Sequence, residues 1–133
     1  MPSSVQPGVI SLREITKAFP GIVANDHISL DIVDGQVHCL LGENGAGKST
    51  LISILAGMQQ PDSGTIEIDG TPVAISSPKI AVDHGIGVVH QHSTLVPAFT
   101  VLENLMLGET TLMLDRKQAL ERLDELSSLL GGN

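Results

Sequence analysis

Residues 42–50 read Gly42-Glu43-Asn44-Gly45-Ala46-Gly47-Lys48-Ser49-Thr50. The pattern is G-x-x-x-x-G-K-[ST], entered from the short apolar run Val37–Leu41 and left through Leu51, Ile52, Ile54 and Leu55. Gly42, Gly45 and Gly47 permit positive φ, so that successive N–H groups can converge on one point. The helix predicted over Thr50–Gly57 adds its dipole and its unpaired first-turn donors, which favour an anion. Lys48 supplies a compact positive charge for β- and γ-phosphates. The Ser49 hydroxyl suits Mg2+, and Thr50 can donate to an α-phosphate. A Gly-rich turn that merely caps a helix would not need the lysine and hydroxyl in this order. The stretch reads as a phosphate-binding loop between a strand and a helix.

Outward from the loop, the apolar run Val37–Leu41 predicts a buried central strand, with Cys39 inside it as an inert thiol. Upstream, strand patterns occupy Val9–Ile15 and Ile28–Val33, and residues 1–8 are expected to be a disordered tail. Downstream, Gly57 and Pro61 stop the helix, and Pro61-Asp62-Ser63-Gly64 makes a turn. Thr65–Ile68 and Thr71–Ile75 flank Asp69-Gly70, a two-residue hairpin turn. Ser77-Pro78 opens a short helix through His84, and Ile86–His90 is a further strand candidate. Thr100-Val101-Leu102-Glu103 has capping-box spacing and predicts a helix over Val101–Leu107. Asp115 would cap a last helix with Ala119, Leu120, Leu123, Leu126 and Leu130 on one apolar stripe.

The chain has 133 residues, 41% of them apolar, which places it in the globular class. No apolar stretch approaches the roughly 20 residues of a membrane-spanning helix. The N-terminus has neither the basic nor the apolar region of a secretory signal. A formal charge of −8 makes nucleic acid an unsuitable partner, because phosphate backbones select clustered Lys and Arg. A single small polyphosphate, held by amides and one lysine, is compatible with that balance. One cysteine excludes an intramolecular disulfide and fits a reducing compartment.

The loop alone leaves the class of nucleoside triphosphatase open. A base-reading Asn-Lys-x-Asp is absent, which argues against a GTPase. No hydrophobic run ends in an Asp that would help hold Mg2+. Asp69 imitates one, but its Asp-Gly turn explains it better, and Glu103 reads as a helix-cap residue. His84, His90 and His92 lie close in sequence, yet they lack a cysteine partner and the spacing of a metal site.

The segment Leu40–Leu51 resembles the Walker A motif of ABC transporter ATP-binding proteins, and three further stretches agree with that family in order and spacing. Ile15-Thr16-Lys17-Ala18-Phe19-Pro20-Gly21 resembles its A-loop, where an aromatic residue stacks on adenine. Phe19 occupies that place. Pro61–Gly70 resembles its β-hairpin, and Gly85–Gln91 with Leu95-Val96-Pro97 and Thr100–Asn104 resembles its Q-loop and the start of its helical subdomain. The resemblance covers residues 9 to about 130 and is strongest to bacterial importers of simple sugars and nucleosides.

The resemblance implies an α/β fold: the N-terminal part of a P-loop ABC ATPase core, with an antiparallel β subdomain and the beginning of a helical subdomain, over residues 9–133. It implies ATP and Mg2+ as ligands. The phosphates would be held by Gly42, Glu43, Asn44, Gly45, Ala46, Gly47, Lys48, Ser49 and Thr50, and adenine by Phe19. Gln91 would contact Mg2+ and the attacking water, with Ser49 as the other metal ligand and Lys48 as the catalytic cation. Implied partners are membrane permease subunits, a solute-binding protein and a second ATP-binding domain, at the cytoplasmic face of the membrane. The family's signature motif, Walker B Asp, catalytic Glu and switch His do not occur in these residues. The 133 residues are therefore expected to be a truncated domain that binds nucleotide without turning it over. A soluble, non-transport ABC ATPase is the remaining alternative, and the acidic charge disfavours its nucleic-acid forms.

Overall fold

The computed structural model describes residues 8–90, 92, 95–107 and 116–131. The chain divides into two compact units after Val88.

The first unit is built on an antiparallel sheet. Strand β1 (Val9–Phe19) and strand β2 (Ile22–Val33) form a long hairpin around Pro20-Gly21, with Phe19 opposite Ile22. Helix α1 (Lys48–Leu55) follows the glycine loop. Strand β3 (Ser63–Ile68) then pairs with β1, and strand β4 (Thr71–Val73) pairs with β3. The order across the sheet is β2-β1-β3-β4. Asp69 and Gly70, at φ 51° and 79°, turn β3 into β4 as the Asp-Gly signal requires. Helix α2 (Pro78–Asp83) has Pro at its start, and the Ser77 hydroxyl accepts the Ile80 N–H.

The core lies between this sheet and α1. Leu12, Ile15, Leu51, Ile54, Leu55, Ile66, Ile75 and Ala81 form one buried cluster. Leu12 and Ile15 are three residues apart and would face opposite ways in a regular strand. The register slips between them, and Glu14 takes φ 53°, which resets the alternation and turns both side chains inward. Full burial of such side chains is worth about 1.5–3 kcal/mol each, so this cluster fixes the angle at which α1, and with it the loop, leaves the sheet.

The second unit holds helix α3 (Val101–Met106) and helix α4 (Arg116–Leu129). The predicted capping box is formed: Thr100 Oγ1 accepts Glu103 N–H at 3.2 Å, and Thr100 N–H donates to Glu103 Oε2 at 2.7 Å. Asn104 braces the preceding turn, accepting from Val96 N–H and donating to the carbonyls of Val96, Phe99 and Thr100. Asp115, the expected cap of α4, lies outside the described residues, as do residues 1–7. Gly8, placed with the disordered tail by sequence, accepts a hydrogen bond from Asp34 N–H at 2.8 Å.

Two expectations fail. Val37–Leu41 and Ile86–His90 form no strand, and Val37, Leu41 and Val89 are 94%, 89% and 98% exposed. Cys39 is exposed rather than buried. The reason is physical: a strand exists only in a ladder, and among the described residues neither run has a hydrogen-bonded neighbour to pair with. Apolar content specifies that such a segment wants cover, and the cover must come from other strands and helices.

Candidate nucleotide site

The glycine loop delivers its residues to the N-terminus of α1. Gly47 is the N-cap, at φ 89° and ψ 8°, and it has no side chain with which to cap the helix. The first-turn N–H groups of Lys48, Ser49 and Thr50 have no intrahelical acceptor, so they present a donor array to whatever anion sits before the helix. Gly45, at φ 85°, makes the second left-handed turn, and Ala46 N–H closes the loop onto the Glu43 carbonyl at 3.1 Å.

Lys48 is folded back over this loop. Its ammonium donates to the carbonyl oxygen of Gly42 and, at 2.7 Å, to that of Glu43. Both acceptors are neutral, and a phosphate oxygen would be a stronger, charge-assisted partner at the same ammonium. Gly42, Glu43, Asn44, Gly45, Ala46 and Ser49 are exposed, while Gly47, Lys48 and Thr50 are half-buried. The loop is thus open to a ligand along most of its length.

One residue that holds the loop was not legible in the motif. Asn25 on β2 is 5% exposed, and its Nδ2 donates to the Gly47 carbonyl at 3.1 Å. Its Oδ1 is buried without a hydrogen-bond partner. The β2 backbone presses so closely on Gly47 that a Cβ there would stand 2.0 Å from the Ala24 carbonyl oxygen. The glycine therefore serves both dihedral and packing. Asn25 opens the polar run Asn25-Asp26-His27, outside the strand pattern read at Ile28–Val33, and nothing in that run singles it out.

Phe19 closes β1 and is 37% exposed. The Lys17 ammonium stands 5.5 Å from its ring centroid, a cation–π distance. Lys17 also pairs with Asp62 at 3.0 Å. The Ala18 N–H bond, chiefly, and then Lys17 hold the Asp62 carboxyl below the usual carboxylate range. Gln91 lies outside the described residues. His84, His90 and His92 are exposed, and among the described residues no group of metal-ligating side chains is assembled.

A sequence model of the family described as ABC transporter matches residues 25–132. The guanosine import ATP-binding protein NupO of Bacillus subtilis is 51% identical over 126 residues, which make 92% of this chain and 25% of that protein. A glucose import ATP-binding protein of Haloferax volcanii is 55% identical over 100 residues, 75% of this chain and 18% of that protein. Among solved structures, an ATP-binding cassette in a dimeric, post-hydrolysis state bound to ADP and inorganic phosphate is similar at a TM-score of 0.66 and 29% identity. That match covers 86% of this chain and 56% of the cassette. The chain spans about a quarter of the length of the curated relatives it matches.

Proposed function

The chain belongs to the ABC transporter family, and we propose that it forms the first part of an ATP-binding domain whose parent protein couples ATP binding and hydrolysis to import of a simple sugar or nucleoside. The observation that carries this reading is the loop itself: an uncapped helix N-terminus at Gly47 with the Lys48 ammonium parked on two neutral carbonyls. Such a site exchanges weak internal acceptors for phosphate oxygens without refolding. Its similarity to a guanosine import and a glucose import ATP-binding protein supports the substrate class.

In this reading the N–H groups of residues 42–50 and the Lys48 ammonium hold the polyphosphate. Phe19 stacks on adenine, which every π-face can accept at small geometric cost. The Ser49 hydroxyl is an exposed, hard oxygen donor, and that donor chemistry fits Mg2+, which takes one or two protein oxygens beside phosphates and water. Ser49 and Gln91 would hold the ion; when bound, it neutralises charge on the phosphate oxygens. Gln91 would also orient the attacking water and relay nucleotide state to the membrane subunit. The parent would sit at the cytoplasmic face of the membrane with permease subunits, a solute-binding protein and a second ATP-binding domain. Among the described residues no helix is long and apolar enough to cross a membrane.

The test is titration of the full-length protein with Mg-ATP. Lys48→Ala should weaken binding at least about tenfold, the scale of one charge-assisted contact, and unchanged binding refutes the site. Co-purification of the parent with permease subunits tests the import assignment. A second reading applies to residues 1–133 alone: nucleotide binding without turnover, favoured because the signature motif, Walker B Asp and catalytic Glu do not occur in them. Single-turnover release of phosphate from this segment, abolished by Lys48→Ala, would refute that.

A further inference from the structure

The end of β1 is clasped in a manner the phosphate loop does not require. Asp62, in the turn that follows α1, accepts the Ala18 N–H on Oδ2 at 2.8 Å and the Lys17 ammonium on Oδ1 at 3.0 Å. Its own N–H donates to the Thr16 carbonyl at 2.8 Å. The three residues before Phe19 are thus each tied to one residue of a different segment. Lys17, pinned by that carboxylate, stands over the Phe19 ring. Its side chain keeps 18% exposure, whereas that of Asp62 keeps 47%.

An aromatic residue at the end of a hairpin would ordinarily pay rotamer and backbone entropy when a base orders it. Here the backbone N–H next to the ring and the cation near its face are both fixed before any ligand arrives. Among the described residues, Asp62 is the group that reaches both. We propose that Asp62 is a positioning residue for Phe19, acting through Ala18 N–H and Lys17 to hold the ring ready for a purine base, so that affinity for the base depends on Asp62 and affinity for the phosphates does not. The proposal rests on the adenine-stacking reading of Phe19.

The experiment measures two ligands on the full-length protein by calorimetry: ATP, which has a base, and inorganic tripolyphosphate, which has none. Phe19→Ala should weaken ATP by about tenfold, within the range for base stacking on an aromatic ring, and leave tripolyphosphate unchanged. Asp62→Ala should weaken ATP by about three- to tenfold with tripolyphosphate again unchanged, which also certifies that the variant is folded. Asp62→Asn, which keeps an acceptor for Ala18 and loses the charge, should fall between. The double variant Phe19→Ala/Asp62→Ala should be no weaker than Phe19→Ala, because both act on one contact. Equal losses for the two ligands in Asp62→Ala overturn the proposal, since they mark a merely structural role. So does an unchanged ATP affinity in Asp62→Ala beside a base-specific loss in Phe19→Ala. An unchanged ATP affinity in Phe19→Ala overturns the stacking reading and the proposal together.

Discussion

Replacing Gly47 by alanine separates two costs that a phosphate loop usually merges. The first is conformational: at φ 89° an alanine pays about 1–2 kcal/mol for the left-handed region. The second is steric. The new Cβ would lie 2.0 Å from the Ala24 carbonyl oxygen and 2.9 Å from its carbon, where ordinary contact begins at 3.4 Å. A backbone carbonyl cannot rotate out of the way, so β2 and the loop must part by more than an ångström, and the Asn25–Gly47 hydrogen bond of 3.1 Å goes with them. Overpacking of this kind costs about 1–3 kcal/mol and the lost hydrogen bond about 1 kcal/mol. Gly45 is the internal control. It has φ 85° and nothing within 4 Å of its virtual Cβ, so Gly45→Ala pays the first cost alone.

The difference between the two variants should be about 2–4 kcal/mol, or about 30- to 1,000-fold in the population of the intact loop. Calorimetric titration of the full-length protein with tripolyphosphate, alongside thermal unfolding, reads it, because the loss appears either as affinity or as stability. Gly47→Ala and Gly45→Ala losing affinity and stability equally would refute the argument that close approach of β2, and not φ alone, makes the glycine necessary.

Asn25→Ala should lower unfolding stability by about 1–2 kcal/mol, because a part-buried hydrogen bond to the loop is lost; Asn25→Asp should lose more, since it aims a buried carboxylate at the Gly47 carbonyl, and denaturant titration ranks the two. Thr100→Ala should remove about 1 kcal/mol from α3 by breaking the capping box, visible as faster amide exchange over Val101–Met106 with residues of β1 unaffected. The Asp62 carboxyl is held down by the Ala18 N–H and then by Lys17, so its contribution is fully present above the unfolded carboxylate value of about 4 and is lost as pH falls through its lower folded value. The stability gap between the protein and Asp62→Asn should therefore be constant above pH of about 5 and shrink below about 4.

What the sequence made legible is what local chemistry decides. The Gly42–Thr50 pattern placed the loop and the helix after it, and α1 begins at Lys48, two residues before the predicted start, because Gly47 rather than Ser49 ends the turn. Asp69-Gly70 and Thr100–Glu103 behaved as their residue types demand, since a left-handed pair and a capping box are each closed within four residues. The hairpin strands ran longer than their patterns, to Phe19 and from Ile22, because pairing partners across the turn extend a strand past its apolar core. The contacts of Lys17, Asp62 and Asn25 were not legible, for the opposite reason. Their meaning lies in partners 45, 44 and 22 residues away, and no short pattern contains those distances.

Val37–Leu41 marks the same boundary from the side of stability. Its apolar content correctly states a demand, but a parallel central strand is satisfied only when neighbours supply both hydrogen-bond edges and helices supply both faces. The described sheet satisfies β1 on both edges, through β2 and β3, and ends at β2 and β4 without reaching this run. The glycine loop nevertheless keeps its shape, because three of its restraints are local or come from β2: the Lys48 contacts, the Ala46–Glu43 bond and Asn25. Loop geometry is therefore separable from any pairing of the run that leads into it. Leu41→Ser, at an 89% exposed position, should therefore leave unfolding stability within about 0.5 kcal/mol, whereas Asn25→Ala lowers it by about 1–2 kcal/mol through the lost bond to the loop, and denaturant titration of the two variants checks the order.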